Sequence, residues 1–397
     1  MNNTIAAAPP DAGPPLARTL LPLMSAVFLA FLVIGLALPV LPLHVHHDLG
    51  MGTLQVGLVT GSQFAASLVS RIGSGTFSDT HGAKRTMMIG FVVASLSGLI
   101  YLASLAAATR PGLSVAILIG GRALLGAAES FIITGALAWG LASVDGAHAG
   151  KVIAWIGTAM YGAFALGAPL GSGLFDALGF GAIGLATVGV PLLAMALLAR
   201  KPGVAPHPRD AQAAPAAVLR AVWVPGVGLA FSSIGFGAMT AFIALYFSER
   251  GWAPVWLAFS LFAATFILAR ILLGHLPDRL GGARVALVFV LVEAAGQACV
   301  WLADGPVVAL IGAALTGLGY SLVYPGLGVV AVSRVARQSR GLAMGAYTAF
   351  LDLALGLATP LLGLLAGVSG LRVVFLISAA SALAAAAISG LALRARP

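Results

Sequence analysis

Charge is what this chain is short of. Of its 397 residues 21 are Lys or Arg and 12 are Asp or Glu, so 8% are charged, against roughly 25% in soluble domains. Too few charges remain to cover a water-facing globular surface, and a soluble protein is excluded. Cys299 is the only cysteine, which leaves no internal disulfide and no thiolate metal cage. No Gly-Lys-Ser/Thr phosphate loop, no catalytic carboxylate pair and no nucleophile elbow appears. ATP-driven transport and membrane-embedded hydrolysis lack their machinery, so neither an enzyme nor a cofactor is expected. Before Arg18 there is no basic stretch leading into a short apolar run with a cleavage site, so the first apolar segment is expected to be kept.

What the chain has instead is apolar sequence almost end to end: 60% of residues are hydrophobic and the mean hydropathy is +1.04. A helix needs about 20 apolar residues to cross the ~30 Å hydrocarbon layer. Twelve such spans are predicted, near 19–43, 54–77, 86–108, 112–141, 151–176, 181–199, 221–247, 255–275, 284–304, 306–334, 341–368 and 372–393. The expected organisation is a tail over 1–18, a six-helix half over 19–199, a Pro- and Ala-rich linker over 200–220 and a second six-helix half over 221–397. Basic residues decide orientation, because positive loops stay in the cytoplasm. With both termini inside, fifteen Lys or Arg fall on the cytoplasmic side and only Arg110, Arg250 and Arg372 outside. Topology thus accounts for the net charge of +9, and no nucleic-acid partner is needed.

The halves repeat. Arg71, Ile72, Gly75, Asp79, Gly82 and Arg85 return as Arg270, Ile271, Gly274, Asp278, Gly281 and Arg284, an offset of 199; Gly126, Ser130, Gly135, Gly150 and Pro169 return as Gly317, Ser321, Gly326, Gly341 and Pro360, an offset of 191. A period near half the length means that the second half rebuilds the first. The expected fold class is an all-α membrane protein of twelve transmembrane helices in two pseudo-symmetric six-helix halves.

The stretch Gly75-Thr-Phe-Ser-Asp79-Thr-His-Gly82-Ala-Lys84-Arg85 resembles the cytoplasmic signature of the major facilitator superfamily, whose parallel six-span halves hold a substrate site near the midplane. It departs at Thr80, where the family carries a basic residue that the second copy keeps as Arg279. The resemblance implies a cytoplasmic gate made of Gly75, Asp79, Gly82, Lys84 and Arg85 with Gly274, Asp278, Arg279, Gly281 and Arg284, whose ion pairs would form and break as that side closes and opens. The plainer alternative is a Gly-rich turn with basic residues enforcing topology. Gly121-Arg122-Ala-Leu-Leu-Gly126-Ala-Ala-Glu129-Ser130 resembles the Arg-x-x-x-Gly motif of the superfamily's proton-coupled drug exporters. The wording from Arg122 to Ser130, with His44-Val-His46, is similar to the YhhS/YfcJ-type bacterial group and implies an inner-membrane carrier.

Three acids fall inside spans: Glu129, Glu293 and Asp352. A charge at a helix centre costs about 2.5–3.5 kcal/mol on insertion scales, so each needs a partner, a proton or a water-filled cavity. Glu129 and Arg122 share a helix face ~10.5 Å apart and, with Asp352, are the proton-coupling candidates; a static polar network is the alternative for span four. The repeat sets Asp352 opposite Tyr161 and Glu129 opposite Tyr320. Gln63, Tyr161, Phe236, Tyr246 and Tyr320 are the substrate-cavity candidates, and Glu293 with Gln297 reads as an interhelical hydrogen-bond pair. Gly167, Pro169 and Gly171 in span five resemble the Gly- and Pro-rich antiporter motif and predict close helix packing. His44, His46 and His47 could suggest zinc or copper, yet they follow Pro39 and Pro42 at a span end, and no metal is expected.

The sequence therefore predicts a monomeric secondary transporter in the bacterial inner membrane, its partners a small-molecule substrate, protons and the lipid bilayer. Proton-coupled export by antiport is the expected activity. Two alternatives stay open: proton-coupled import of a sugar or organic anion, and a non-transporting membrane sensor or scaffold.

Overall fold

The computed structural model describes residues 16–144, 149–204, 215–335 and 340–394. Among these residues the chain is helical with short links. The N-terminal half holds α1 (Leu16–Leu43), a π-helical turn (His44–Asp48), α2 (Thr53–His81), α3 (Ala83–Ala106), α4 (Pro111–Ala142), α5 (Ala149–Leu178) and α6 (Phe180–Ala199). The C-terminal half holds α7 (Pro215–Glu249), α8 (Leu257–Leu273), the short α9 (Leu276–Leu280), α10 (Gly282–Leu302), α11 (Pro306–Ser333), α12 (Arg340–Ser369) and α13 (Arg372–Arg394). Most of the expected tail, the linker residues 205–214 and Arg209, Arg337 and Arg396 lie outside the described residues.

Ten helices are long and apolar enough to cross a membrane, and Leu257–Leu273 is a shorter apolar helix. The exception among the long helices is α2, which carries Thr53, Gln63, Ser67, Ser74 and Ser78 as buried polar residues. Packing against α4 and α12 lets it do so, because polar groups in a bilayer are tolerated where protein covers them.

The repeat is visible in the backbone. Every residue with positive φ among those described is a glycine: Gly50, Gly82, Gly179, Gly251, Gly281 and Gly370. They fall into matched pairs between halves, 50 with 251, 82 with 281 and 179 with 370, because only glycine enters this region without a Cβ penalty. The first and second links are tighter than the sequence suggested. Gly82 alone, at φ 88°, joins α2 to α3, so the residues expected to form a turn over 78–85 belong to two helices. In the second copy the helix breaks after Leu273 and resumes at Leu276. Pro277 stands at the start of α9, and its ring and missing N–H oppose a continuous helix across this point. The expected linker is also shorter, since α7 already begins at Pro215.

We call the bundle end at which α1, α3, α5, α7, α10 and α12 begin the near face, and the opposite end the far face. Within the first half α5 lies on α1: a Cβ on Gly171 would strike the Leu36 carbonyl oxygen, and one on Gly167 the Gly35 backbone. Between halves α2 packs on α12, α5 on α8, and α1 on α7. Toward the far face these seams are stitched by Thr53 Oγ1 donating to the Gly363 carbonyl (2.7 Å), Thr359 Oγ1 to the Gly57 carbonyl (3.1 Å) and Ser260 Oγ to the Ala165 carbonyl (3.2 Å).

Candidate functional site

The seams bring ionisable residues from both halves together in the middle of the bundle. A side chain at Gly126 would collide with the Gln63 carbonyl, so α4 can lie directly on α2. That contact brings Gln63 Nε2 to 2.7 Å from Glu129 Oε2, to which it donates. Gln63 Oε1 is buried without a hydrogen-bond partner. An amide can donate to an ionised carboxylate or, turned over, accept the proton of a neutral acid, so Gln63 suits Glu129 in either form.

Two turns nearer the near face, Arg71 of α2 reaches across to Asp352 of α12. Its Nε lies 2.9 Å and its Nη2 2.5 Å from Asp352 Oδ2. Asp352 is almost fully buried, and Arg71 is 24% exposed. This charge-assisted pair ties the two halves together at the level of Glu129, whose electrostatic neighbours are Asp352, Arg71 and Arg122. Glu129, Tyr161, Arg270 and Tyr324 are half-buried although helices of both halves surround them. Side chains placed so keep partly accessible surface between the halves, a region we call the chamber.

The opposite wall is aromatic. Gly317 repeats Gly126: a Cβ there would strike the Phe262 carbonyl, and α11 lies on α8 as α4 lies on α2. At the matched position of Glu129 stands Tyr320, whose ring stacks on Phe236 at 5.4 Å and whose hydroxyl lies 3.2 Å from Ser233 Oγ. Tyr161 crosses from the first half to stack on Phe266 of α8, with centroids 3.6 Å apart, and approaches Phe236 of α7 at 6.5 Å. The first half thus supplies Gln63, Glu129 and Tyr161, and the second supplies Asp352 with the rings of Phe236, Phe266 and Tyr320.

Gln63, Glu129, Tyr161, Phe236, Tyr320 and Asp352 therefore meet around one chamber. Arg122 does not join them directly. It is buried between α4 and α3, where Nη1 donates to the Tyr101 hydroxyl at 3.4 Å, and it acts on Glu129 only through space. Tyr246 sits at the far end of α7 against Trp252 and Phe375, away from the chamber. Glu293 and Gln297 are fully buried, and their bonds run to α7 rather than to each other: Ser232 Oγ donates to Glu293 Oε2 at 2.5 Å, and Gln297 Nε2 to the Gly235 carbonyl at 3.2 Å.

At the near face Lys84 Nζ donates to the Ala199 and Lys201 carbonyls at 2.7 and 2.6 Å, which caps the end of α6 within its own half. Asp79 lies in the last turn of α2 and Asp278 in α9, and Arg85, Asp278, Arg279 and Arg284 are exposed. The three histidines turn to three different groups: His44 to Asp48 at 2.7 Å, His46 to the Met51 carbonyl at 2.8 Å and His47 to Ser248 at 3.1 Å.

Arg71, Arg270, Phe266 and Tyr324 were not singled out as site residues by the sequence. The signal was present, since both arginines fall inside predicted spans, where a cation is as costly as an acid.

Comparison with known proteins fits this geometry. The family model described as Major Facilitator Superfamily matches residues 23–310 and 255–397. An uncharacterized MFS-type transporter of Salmonella typhimurium is 45% identical over 376 residues, 95% of this chain and 97% of that one. Another from Burkholderia mallei is 42% identical over 366 residues, 92% and 90% of the two chains. Among solved structures, a bacterial homolog of the human lysosomal transporter Spinster, inward-facing and unoccupied, superposes with a TM-score of 0.74 at 15% identity, covering 96% of this chain and 98% of its own. Spans, repeat, seams and relatives agree: the chain belongs to the Major Facilitator Superfamily and is a multi-pass membrane transporter with the twelve-helix, two-half architecture of that fold.

Proposed function

We propose that the chain is a proton-coupled secondary transporter in which Glu129 carries the proton, with both termini on the cytoplasmic side of a bacterial inner membrane. The observation that carries this reading is the Gln63–Glu129 hydrogen bond lying within electrostatic reach of the Arg71–Asp352 pair. It joins a titratable group in one half to an ion pair between the halves. Rocking the halves apart at the α2–α12 seam separates Arg71 from Asp352, which changes the field at Glu129 and with it the proton that Glu129 holds. One proton moved through the membrane field supplies about 2.3 kcal/mol per 100 mV, enough to drive appreciable accumulation or export. The near face carries Lys84, Arg85, Lys151, Arg200, Lys201, Arg220, Arg279, Arg284, Arg334 and Arg340, which supports a cytoplasmic near face. On this reading the Gly75–Arg85 and Gly274–Arg284 stretches form the cytoplasmic gate.

Export by antiport is the first reading of direction, supported by the Arg122-x-x-x-Gly126 wording. Import of a substrate together with the proton is the second, favoured by Arg270, a cation in the chamber with no carboxylate within ion-pair distance among the described residues. Glu129→Gln in proteoliposomes is the test. It is expected to abolish pH-gradient-driven movement while leaving substrate exchange; a variant that still concentrates substrate under a pH gradient would make Glu129 structural.

A further inference from the structure

The two arginines that the repeat places at matching positions have different surroundings. Arg71 is neutralised by Asp352 across the α2–α12 seam. In the equivalent α5–α8 seam the residue matching Asp352 is Tyr161, a neutral phenol. Arg270 therefore lacks the counterion that its twin has. Its guanidinium lies back along α8, with Cζ 5.4 Å from the Phe266 ring centroid, the direction in which helical side chains lean. It does not turn toward the carbonyls at the end of α8, where it would serve as an ordinary helix cap. Its electrostatic neighbours are the hydroxyl-bearing rings Tyr161 of α5, Tyr320 and Tyr324 of α11 and Tyr347 of α12. Three of these hydroxyls are engaged elsewhere, with Ser233, Thr348 and the Tyr324 carbonyl.

A cation stacked on one ring, with phenols of three other helices as its electrostatic neighbours, is only partly compensated. We propose that the chamber takes an organic anion, its acidic group bound by Arg270 and its apolar body against Tyr161 and Tyr324, the two neighbouring rings that keep accessible surface. The charges support the assignment. With Arg71 and Asp352 paired and Arg122 acting on Glu129 from between α3 and α4, protonation of Glu129 makes the region one charge more positive and ionisation makes it one charge less so. Anion and proton therefore favour each other's binding, which is the thermodynamic requirement for carrying them together, the second of the two directions proposed above. The inference deepens the transport reading and rests on the chamber being the transport site; the sign of the substrate's charge does not depend on Glu129.

Calorimetric titration of the purified full-length chain tests it, using carboxylates, carboxamides and primary amines matched on phenyl, naphthyl and octyl bodies. Carboxylates are expected to bind in preference to the amides and amines, more tightly at mildly acidic than at alkaline pH. Arg270→Gln should weaken them about tenfold or more, since it removes a charge-assisted bond, and Arg270→Lys should keep part of the affinity. Glu129→Gln should flatten the pH dependence of carboxylate binding. Binding of amines over carboxylates, no binding by any carboxylate, or unchanged binding in Arg270→Gln would overturn the proposal. If Arg270→Gln does not fold, the ranking of the three probe classes by the native protein decides alone. Carboxylate binding through Arg270 with pH-driven transport intact in Glu129→Gln would defeat the proton reading and leave this one standing; amine binding with transport lost in Glu129→Gln would do the reverse.

Discussion

At Asp352 the cost of a substitution depends on what it leaves behind. Asp352→Asn strands the Arg71 guanidinium beside a buried neutral group, and removing one partner of a buried pair costs about 3 kcal/mol. Replacing both partners, Arg71→Gln with Asp352→Asn, removes the stranded charge. Thermal unfolding in detergent should show a lower melting temperature for the single variant and partial recovery in the double one; strictly additive effects would mean that the pair does not couple. Glu293 offers the contrast. Its carboxyl accepts from Ser232 and has no ion-pair partner among the described residues, so Glu293→Gln keeps the acceptor and removes a costly potential charge. That variant is expected to melt at or above the native temperature and to transport normally, where Glu129→Gln fails. The sequence already separated these two acids, reading Glu293 with Gln297 as an interhelical hydrogen-bond pair and Glu129 as a coupling candidate. It did not separate Arg122 from Arg71: the motif pointed to Arg122, and only the packing of α2 on α12 revealed that Arg71 is the cation at the seam.

Single backbone contacts position the helices that carry these groups. Gly126 lets α4 touch α2 at Gln63, so Gly126→Val must push the helices apart or shift α4 along its axis. Overpacking of this kind costs about 1–3 kcal/mol, and it should also break the Gln63–Glu129 bond. The variant is expected to melt earlier and to lose coupling even where it still folds, measured as uncoupled substrate flux in proteoliposomes. Gly82 works through conformation instead: at φ 88° an alanine is strained, and Gly82→Ala should destabilise by roughly 1 kcal/mol or more, read as a lower melting temperature. The ends of α2 and α3 were poorly legible in the sequence for the same reason. Ser-Asp-Thr-His-Gly is rich in turn-forming residues, but one left-handed glycine is enough to reverse the chain, and the rest stays helical.

For the whole molecule, the contact between Ser260 and the Ala165 backbone predicts how the halves can be locked. Cysteines at Ala165 and Ser260 should cross-link readily across the α5–α8 seam and arrest transport until reduced. Mass spectrometry of the linked peptides and reducing-agent rescue of flux check this; free transport in fully linked protein would show that the far-face seam does not open in the cycle.

Composition and repetition alone determined that this is a membrane protein of two six-helix halves. Apolar length decides what crosses a bilayer, and a duplicated chain has little choice but to fold twice the same way. The repeated Gly–Asp–Gly–Arg stretches, the acids inside spans and several of the rings could be singled out as candidates, because costly charges and repeated motifs are visible in one dimension. What pairs with what was decided by tertiary structure. Matched positions carry Asp352 and Tyr161, or Glu129 and Tyr320, and whether an arginine meets a carboxylate or a phenol depends on which helices face each other across the seam. That facing joins residues up to 281 positions apart, and no local spacing rule encodes it.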